Sequence, residues 1–400
     1  MNYSNYSPNE IKELIKDIIN ANDILIEKGE IPISLSIEGE PGIGKTTVIR
    51  ETVNELNRPL YKLNLAQLTE PSELIGYYAK EFKLKKENSE VWVTENMIPE
   101  MINSGYTYSS EMRTKPCPPD WVNSLQENSI LLLDDYSRSN QLFSQACMEL
   151  INEQSMIGWN LKDKKIQIIL SENPDDGEYN VQSFDAAQTS RMLKARMVWD
   201  YKDWAERAEK LKFDQRIINF VLSIPEKFEN KKKDGVSNSN VVQPRMLDKF
   251  FAIISTIKDW EKNLTKVIQI GDLSIGKDVT SLLVNFINKK LDKLPLIEDL
   301  IFNYSLEKAN ESLLDCAGSY KKENHKTAVS AILCTRIFNY VKVHNKEFKK
   351  DNIKQLGELI LSDSFTSDQK FIMVKNCINY SSLFTQILGS DVRIINYITK

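Results

Sequence analysis

The stretch GEPGIGKT, residues 39–46, constrains the fold of this chain of 400 residues more than any other feature. It fits the pattern G-x-x-x-x-G-K-[ST], in which glycines let the backbone wrap around phosphate and point several N–H groups at it. The apolar run ISLSI precedes the stretch, and the helical pattern TTVIRETVNEL follows it. This strand–loop–helix context predicts a nucleotide-binding loop rather than a chance glycine turn.

Each part of the loop has a predicted task. Lys45 would reach the β- and γ-phosphates, Thr46 would ligate Mg²⁺, and the helix that begins near Gly44 would turn its positive dipole end toward the phosphates. We therefore predict ATP with Mg²⁺ as the cofactor, although no base-reading motif distinguishes ATP from GTP. The predicted nucleotide-binding residues of the loop are Gly39, Pro41, Gly42, Ile43, Gly44, Lys45, Thr46 and Thr47.

A second glycine-rich run, GDLSIGKDV from Gly271, has nearly the same spacing. Its last motif position is Asp278, which would bring a negative charge to the place where a hydroxyl should meet the metal. No apolar strand pattern ending in an acid follows this run along the chain. We therefore predict that it is a loop between helices and not a nucleotide site.

Apolar strand patterns alternate with helical patterns along the first half of the chain. Such alternation favours a parallel sheet covered by helices on both faces. The predicted strands lie within 31–39, 58–67, 129–136 and 165–174, and strand patterns stop after about residue 202. We predict an α/β nucleotide-binding domain over 1–202, a helical lid over 203–268 and an all-α carboxyl-terminal region over 269–400, with a flexible linker at 229–240.

Polar side chains follow two of the predicted strands at their carboxyl ends, where ligands bind in parallel sheets. Asp134 and Asp135 end ILLLDD, and Asn173 ends ILSEN. We predict that Asp134 belongs to the Mg²⁺ shell with Thr46 and that Asp135 polarises the attacking water. The alternative is a strand capped by two solvated aspartates. The Asn173 amide could orient the same water, although asparagine in such a place is commonly a turn residue.

The order of these motifs resembles that of the AAA+ ATPases, in particular the MoxR-like and dynein-related branch. The resemblance covers about residues 30–250 and rests on the glycine-rich loop together with SELIGYY, LLLDDYSR, LSENPDDGEY and DAAQTSRM. It implies the P-loop NTPase core of that family, with a parallel sheet sandwiched by helices and followed by a helical lid. It also implies that Asn173 is the first sensor, between the γ-phosphate and the water.

The same resemblance implies roles for three arginines. Arg191 would be the arginine finger, which reaches the γ-phosphate held by a neighbouring subunit. Arg245, in VVQPRML, would be the second sensor at the start of a lid helix. Arg138 would lie at the subunit boundary. For Arg191 and Arg245 the alternative is a surface salt bridge.

Asp135 departs from the family pattern, because most relatives have glutamate at this position. The aspartate side chain is one methylene shorter. The sequence therefore leaves open either an enzyme that hydrolyses ATP, fast or slowly, or a protein that binds ATP without cleaving it.

The resemblance implies an ATPase that works as a ring, a hexamer, and remodels a protein partner in a chaperone-like role. A von Willebrand factor A-type adaptor follows from analogy alone. The alternatives are an ATP-dependent nucleic-acid motor and a slowly hydrolysing assembly protein. The net charge is −4, which provides no global field toward nucleic acid or membrane. No apolar run approaches the roughly 18 residues of a membrane span, so we expect a cytoplasmic protein without a membrane partner.

Three further segments carry predictions of their own. The insertion from Gly76 to Trp121 contains an alternating pattern at 81–97, which predicts a β-hairpin. The segment 153–165 resembles the hairpin that faces the ring centre in this branch, where Trp159 is either a substrate contact or a buried aromatic. The basic segment 321–350 predicts a helix whose apolar stripe covers a small core, and an acidic partner or nucleic acid is the alternative.

Overall fold

The chain forms two compact units, Met1–Val198 and Trp199–Lys400. The computed structural model describes residues 4–87, 89–138, 141–156, 158–174, 191–228, 242–318 and 323–397. The predicted linker at 229–240 lies outside these residues, and the predicted division of the chain at 202 and 268 stays a prediction. Within the described ranges, no helix is long and apolar enough to cross a membrane.

A parallel sheet forms the centre of the first unit. The strands in the described part of this unit are β1 (Asn5–Tyr6), β2 (Ser34–Glu38), β3 (Leu60–Asn64), β4 (Tyr77–Lys86), β5 (Ser89–Thr94), β6 (Thr107–Cys117), β7 (Ile130–Asp134), β8 (Ser155–Met156), β9 (Trp159–Asn160), β10 (Gln167–Glu172) and β11 (Met192–Met197). The order of the central sheet is β1-β11-β2-β10-β7-β3. All of its neighbouring strands pair in parallel, so the carboxyl ends of β2, β7 and β10 lie on the same side of the sheet.

The helices of the first unit follow the strands as the sequence predicts. In the first helix, Ile11, Ile15 and Ile19 are buried at a spacing of four residues, while a reciprocal capping box of Ser7 and Glu10 begins it. The helices are α1 (Pro8–Glu27), α2 (Lys45–Glu55), α3 (Pro71–Ile75), α4 (Ile98–Asn103), α5 (Asp120–Ser124) and α6 (Gln141–Glu153). The predicted P-loop NTPase arrangement of parallel sheet and covering helices is therefore confirmed.

The central sheet contains two strands that the sequence did not reveal. The four apolar runs became β2, β3, β7 and β10, and all five residues of β7 are buried. By contrast, β1 has two residues, and β11 reads MLKARM. Lys194 and Arg196 interrupt the apolar pattern of β11, and both form ion pairs with Glu38 at the end of β2. The charged side chains therefore remove the apolar pattern that would have predicted β11, although both of them form ion pairs within the fold.

The insertion between Gly76 and Trp121 forms a separate antiparallel sheet in the order β5-β4-β6. The predicted hairpin at 81–97 is confirmed by β4 and β5, which pair from Glu81 with Thr94 to Lys86 with Ser89. The third strand, β6, was not predicted. Its sequence TYSSEMRTKPC is mostly polar and exposed, so it shows no apolar alternation.

The second unit is helical throughout its described residues. One continuous hydrophobic core runs from Trp204 to Ile394. A π-helical turn lies at Asp299–Asn303. The α-helices are α7 (Tyr201–Lys210), α8 (Gln215–Ser223), α9 (Pro244–Ile254), α10 (Leu264–Ser274), α11 (Lys277–Asn288), α12 (Leu306–Gly318), α13 (Glu323–His344), α14 (Lys350–Leu361), α15 (Ser367–Cys377), α16 (Ser382–Leu388) and α17 (Val392–Ile395).

The second glycine-rich run joins two helices, as predicted. Gly271 lies inside α10, where an added Cβ would meet the Thr280 hydroxyl oxygen at 2.6 Å. Gly276 adopts a φ of +81° and precedes α11. The run therefore allows α10 and α11 to pack closely, and it lacks the strand that a phosphate-binding loop requires.

The basic segment forms α13, and its apolar stripe faces the core as predicted. The buried residues of this stripe are Val329, Ile332, Leu333, Ile337, Tyr340 and Val341. Arg336 lies among them and is fully buried, which the sequence did not indicate. Its Nε donates to Glu209 Oε1 over 3.1 Å, and its Nη1 donates to Asn219 Oδ1 over 3.0 Å. One cation of this segment therefore belongs to the core of the second unit.

We predict that Arg336→Ala destabilises the second unit strongly. Breaking a buried pair on one side leaves an uncompensated charge on Glu209, which costs about 3–5 kcal/mol. Urea unfolding followed by tryptophan fluorescence measures this free energy. Lys342→Ala is the matched control, because Lys342 joins the same two helices through Glu206 but is 37% exposed. We expect that control to cost less than about 1 kcal/mol, and equal losses in both variants would contradict the prediction.

Candidate nucleotide-binding site

The glycine-rich loop connects β2 to α2 at the carboxyl edge of the central sheet. Gly42 and Gly44 adopt φ values of +82° and +97°, a backbone region that other residues rarely enter. Gly44 is the N-cap of α2 and provides no side-chain cap, so the first turn of the helix faces the loop. The backbone geometry therefore suits an anion at the start of α2.

Gly39, the first residue of the loop, lies close to the backbone of β10 and of β11. Its N–H donates to the Glu172 carbonyl over 3.1 Å, which extends the pairing of β2 with β10 into the loop. An added Cβ would meet Ile43 Cδ1 at 2.6 Å and the Met197 carbonyl oxygen at 2.7 Å. The start of the loop is therefore held against two strands with no room for a side chain.

Lys45 is nearly buried, and its ammonium group lies at the centre of the loop. Nζ donates to the carbonyl oxygens of Gly39 and Glu40 over 2.6 and 3.0 Å. It also donates to Asn173 Oδ1 over 3.2 Å. These three acceptors are neutral oxygens, and they direct a positive charge toward the carboxyl end of β10.

Asp134 ends β7 and faces the first turn of α2. Its Oδ1 accepts a hydrogen bond from Thr46 Oγ1 over 3.1 Å, and its Oδ2 lies 2.5 Å from Lys62 Nζ. Burial raises the pKa of the Asp134 carboxyl, but the Lys62 ammonium and the Ser171 and Thr46 hydroxyls lower this pKa more. The net pKa lies below its ordinary value, so Asp134 is ionised at neutral pH.

Asp135 follows directly and has a backbone φ of +54°. This left-handed conformation turns the chain sharply at the end of β7. The side chain is half-buried, and among the described residues its carboxylate has no hydrogen-bond or ion-pair partner. Asp135 is thus an ionisable group beside the loop that is not committed to a structural contact in the described part of the chain.

Asn173 is held in place by the turn that follows Asp135. Its backbone N–H donates to the Ser137 hydroxyl over 3.0 Å, while its side-chain oxygen accepts from Lys45. Ser137 is buried and was not singled out in the sequence. The only sequence signal for it was its place three residues after Asp134.

A second charged cluster lies on the neighbouring strands of the same sheet. Lys194 Nζ lies 2.9 Å from both Glu38 Oε2 and Glu172 Oε1, and the Ser36 hydroxyl also donates to Glu172. Burial lowers the pKa of Lys194, whereas the two carboxylates raise it above its ordinary value. This cluster joins β2, β10 and β11 next to the loop.

Hydrogen bonds join Lys45 to Asn173 and Thr46 to Asp134, whereas Arg191 lies away from these four residues. Arg191 is exposed and precedes β11, whose first residue pairs with Ser34 at the start of β2. The four steps from Ser34 to Glu38, the first and last residues of β2, span roughly 13 Å at 3.3 Å per residue. Arg191 therefore lies at the opposite edge of the sheet from the loop.

The remaining predicted arginines lie in different parts of the chain. Arg245 is exposed in the first turn of α9, in the second unit. Arg138 ends a short 3-10 turn at Tyr136–Arg138. Most of DAAQTSRM falls outside the described residues.

Trp159 is a buried aromatic residue, so the structure does not support the alternative of a substrate contact. It is 9% exposed, and its Nε1 donates to the Ile75 carbonyl over 3.0 Å. Its ring packs edge-on against Trp121 at 5.4 Å. Gly158 beside it leaves room for Pro116, since an added Cβ would meet Pro116 Cγ at 2.2 Å. The β8–β9 hairpin is thus anchored to the base of the insertion.

The residues present fit a nucleotide with Mg²⁺. Among the described residues no group of three or more His, Cys, Asp or Glu side chains could hold a metal. Mg²⁺ ordinarily takes few protein oxygens, because water and phosphate provide the rest of its octahedral shell. The Thr46 hydroxyl and the Asp134 carboxylate are such oxygens.

The sheet order, the glycine-rich loop and the acidic end of the adjacent strand define a P-loop NTPase. Residues 33–176 match the family model described as an AAA domain. This segment is therefore similar to AAA domains, and the match supports ATPase activity.

Comparison with solved structures finds similar chains at low identity. The Holliday junction branch migration motor RuvB of Thermotoga maritima is 13% identical, with 77% of this chain and 84% of that chain covered and a TM-score of 0.34. A variant of the same RuvB is 12% identical, with 88% and 90% covered and a TM-score of 0.34. No curated protein matches the sequence.

We predict that Gly39→Ala weakens nucleotide binding. The added methyl would overpack against a backbone carbonyl, which costs about 1–3 kcal/mol. Because 1.4 kcal/mol is a factor of ten, the dissociation constant of a fluorescent ATP analogue should rise about tenfold. Gly29→Ala is the control, since Gly29 lies outside the loop and no atom lies within 4 Å of its added Cβ, even though its φ of +77° disfavours a side chain. An equal loss of affinity in the control would contradict the prediction.

Proposed function

We propose that this protein binds ATP with Mg²⁺ and hydrolyses it at the subunit interfaces of a hexameric ring, using the cycle to remodel a protein partner. The observation that carries the proposal is the contact of Lys45 and Thr46, at the start of α2, with Asn173 and Asp134 at two neighbouring strand ends. Four groups that a phosphoryl-transfer site requires thereby lie at one edge of the sheet.

The loop residues bind the nucleotide in this proposal. Backbone N–H groups from Gly42 to Thr47 would bind the phosphates, and the Lys45 ammonium would exchange the loop carbonyls for the β- and γ-phosphates. Thr46 and Asp134 would hold Mg²⁺, which would supply charge neutralisation on the phosphate oxygens. Pro41 and Ile43 shape the loop around them.

Asp135 and Asn173 act on the attacking water. Asp135 accepts a proton from the water, and this role is supported by a carboxylate without a structural partner among the residues that the structure describes. Asn173 orients the water, and its position is set by Ser137 on the turn that carries Asp135. Because Asp135 and Ser137 lie on the same turn, the position of the base, Asp135, is coupled to that of the sensor, Asn173.

Arg191 acts on the site of a neighbouring subunit. Its place at the far edge of the sheet excludes a contact with the loop of its own chain, and its exposure makes it accessible to a second copy. A ring with heterologous interfaces repeats this contact at every boundary, where the guanidinium stabilises negative charge in the transition state. Arg245, exposed at the start of α9, is proposed as the second sensor on the same γ-phosphate.

The MoxR-like assignment rests on the order of the motifs and on the β8–β9 hairpin after α6. A protein partner, or a von Willebrand factor A-type adaptor, follows from that assignment. A binding-only protein is the second candidate, because Asp135 is shorter than glutamate and stands in a left-handed backbone conformation.

We predict that Asp135→Asn binds ATP as wild type does but releases phosphate about a hundredfold more slowly, since a general base contributes 10²–10⁴-fold. Lys45→Ala should lose ATP binding itself, because the cation that meets the β- and γ-phosphates is removed. Phosphate release and binding of a fluorescent ATP analogue separate the two effects. Asp135→Glu is the control for side-chain length and should retain turnover. Wild-type turnover no faster than that of Asp135→Asn would favour the binding-only protein.

We predict that Arg191→Ala and Asp135→Asn each turn over far more slowly than the wild type when alone but recover turnover when mixed. Arg191→Ala supplies an intact hydrolytic site, and Asp135→Asn supplies an intact finger to its neighbour. Random mixing in a ring should restore roughly a quarter of the wild-type sites. Replacing the second partner by the double variant Asp135→Asn/Arg191→Ala removes the finger and should abolish recovery. Equal activity in the two mixtures would argue against action between subunits.

A further inference from the structure

Lys62 contributes an ammonium group to the proposed metal site from a strand that the nucleotide motifs do not include. It lies in the middle of β3, where its register partner is Leu132 on β7. Its side chain extends toward the end of the strand pair, and Nζ lies 2.5 Å from Asp134 Oδ2. Among the described residues, Lys62 is the cationic group that forms an ion pair with Asp134.

The two ends of this ion pair differ in exposure. The Lys62 side chain is 38% exposed, whereas the Asp134 side chain is 8% exposed. Asp134 is therefore fixed, with its Oδ1 engaged by Thr46, and Lys62 is the movable partner. A lysine on a flexible four-carbon stem can leave such a contact for solvent without disturbing the strand that carries it.

An ammonium and a divalent cation are competitors for the same carboxylate. Both are stabilised by the negative charge of Asp134, and they repel one another when both are near it. A metal that binds beside Thr46 and Asp134 must either displace Lys62 or tolerate its charge. Either case weakens metal binding relative to a site without this lysine.

We propose that Lys62 lowers the affinity of this ATPase for Mg²⁺ by competing with the metal for Asp134. Lys62 thereby sets the Mg²⁺ concentration that the enzyme needs. The inference rests on the proposed role of Thr46 and Asp134 in holding Mg²⁺. Lys62 keeps the buried carboxylate paired until a divalent cation with bound nucleotide replaces it. The enzyme consequently needs a higher concentration of Mg²⁺ than the same site would need without Lys62.

The test compares Mn²⁺ affinity of the full chain saturated with ADP, measured from the free Mn²⁺ signal by electron paramagnetic resonance. Removal of one nearby positive charge in Lys62→Met should tighten Mn²⁺ binding about tenfold. Lys62→Gln should tighten it similarly, because the amide can donate a hydrogen bond but carries no charge. Lys62→Arg should keep the wild-type affinity. The Mg²⁺ concentration for half-maximal phosphate release should fall in parallel in the two neutral variants.

Lys80→Met is the matched control, because Lys80 is exposed on β4 in the insertion and loses the same charge. Its Mn²⁺ affinity should equal that of the wild type. Unchanged or weaker Mn²⁺ binding in Lys62→Met or Lys62→Gln would overturn the inference, since a lysine that only positions Asp134 would help the metal.

Asp134→Asn separates this inference from the proposed function. If Asp134→Asn leaves Mn²⁺ affinity unchanged, the proposed metal role of Asp134 fails, and the competition at Asp134 fails with it. If Asp134→Asn weakens Mn²⁺ binding and the neutral Lys62 variants do not tighten it, the metal role stands and Lys62 is not a competitor.

Discussion

Parallel backbone pairing of β2, β10 and β7 is the constraint on which the rest of the candidate site depends. Glu38 pairs with Glu172, and the ladder continues one residue further when the Gly39 N–H donates to the Glu172 carbonyl. A shift of one residue would turn the side chains at these strand ends to the opposite face. The contacts of Lys45 and Thr46 with the neighbouring strands therefore exist only in this register.

The same alignment gathers carboxylates that would be costly to bury alone. Asp134 is paired by Lys62, and Glu172 shares Lys194 with Glu38. Each cation comes from another strand of the sheet, so the charges are balanced across the sheet rather than along the chain. Buried ions require such pairing because only the attraction between opposite charges offsets the free energy lost when each ion leaves water. Strands β3 and β11 thus provide the cations that pair with carboxylates on β2, β7 and β10.

Local patterns predicted those parts of the fold that depend on neighbours in sequence. The glycine-rich loop, the four apolar strands and the hairpin at 81–97 were predicted because periodicity and turn chemistry are local properties. Strand β6 was not predicted, because its exposed polar residues have no period. Trp159 could be a contact or a core residue by sequence, and only its packing against Trp121 decided this.

The sequence by itself determined the P-loop NTPase class, since the spacing of Gly39, Gly44, Lys45 and Thr46 specifies a backbone geometry for phosphate. Tertiary structure alone decided which charges share a site. Lys62 is 72 residues from Asp134, as 134 − 62 shows, and the ion pair between them follows from strand order β10-β7-β3. Strand order is set by long-range packing of buried faces, and no local pattern records it. For that reason the sequence predicts the nucleotide-binding loop, whereas the ion pairs around it can be identified only from the tertiary structure.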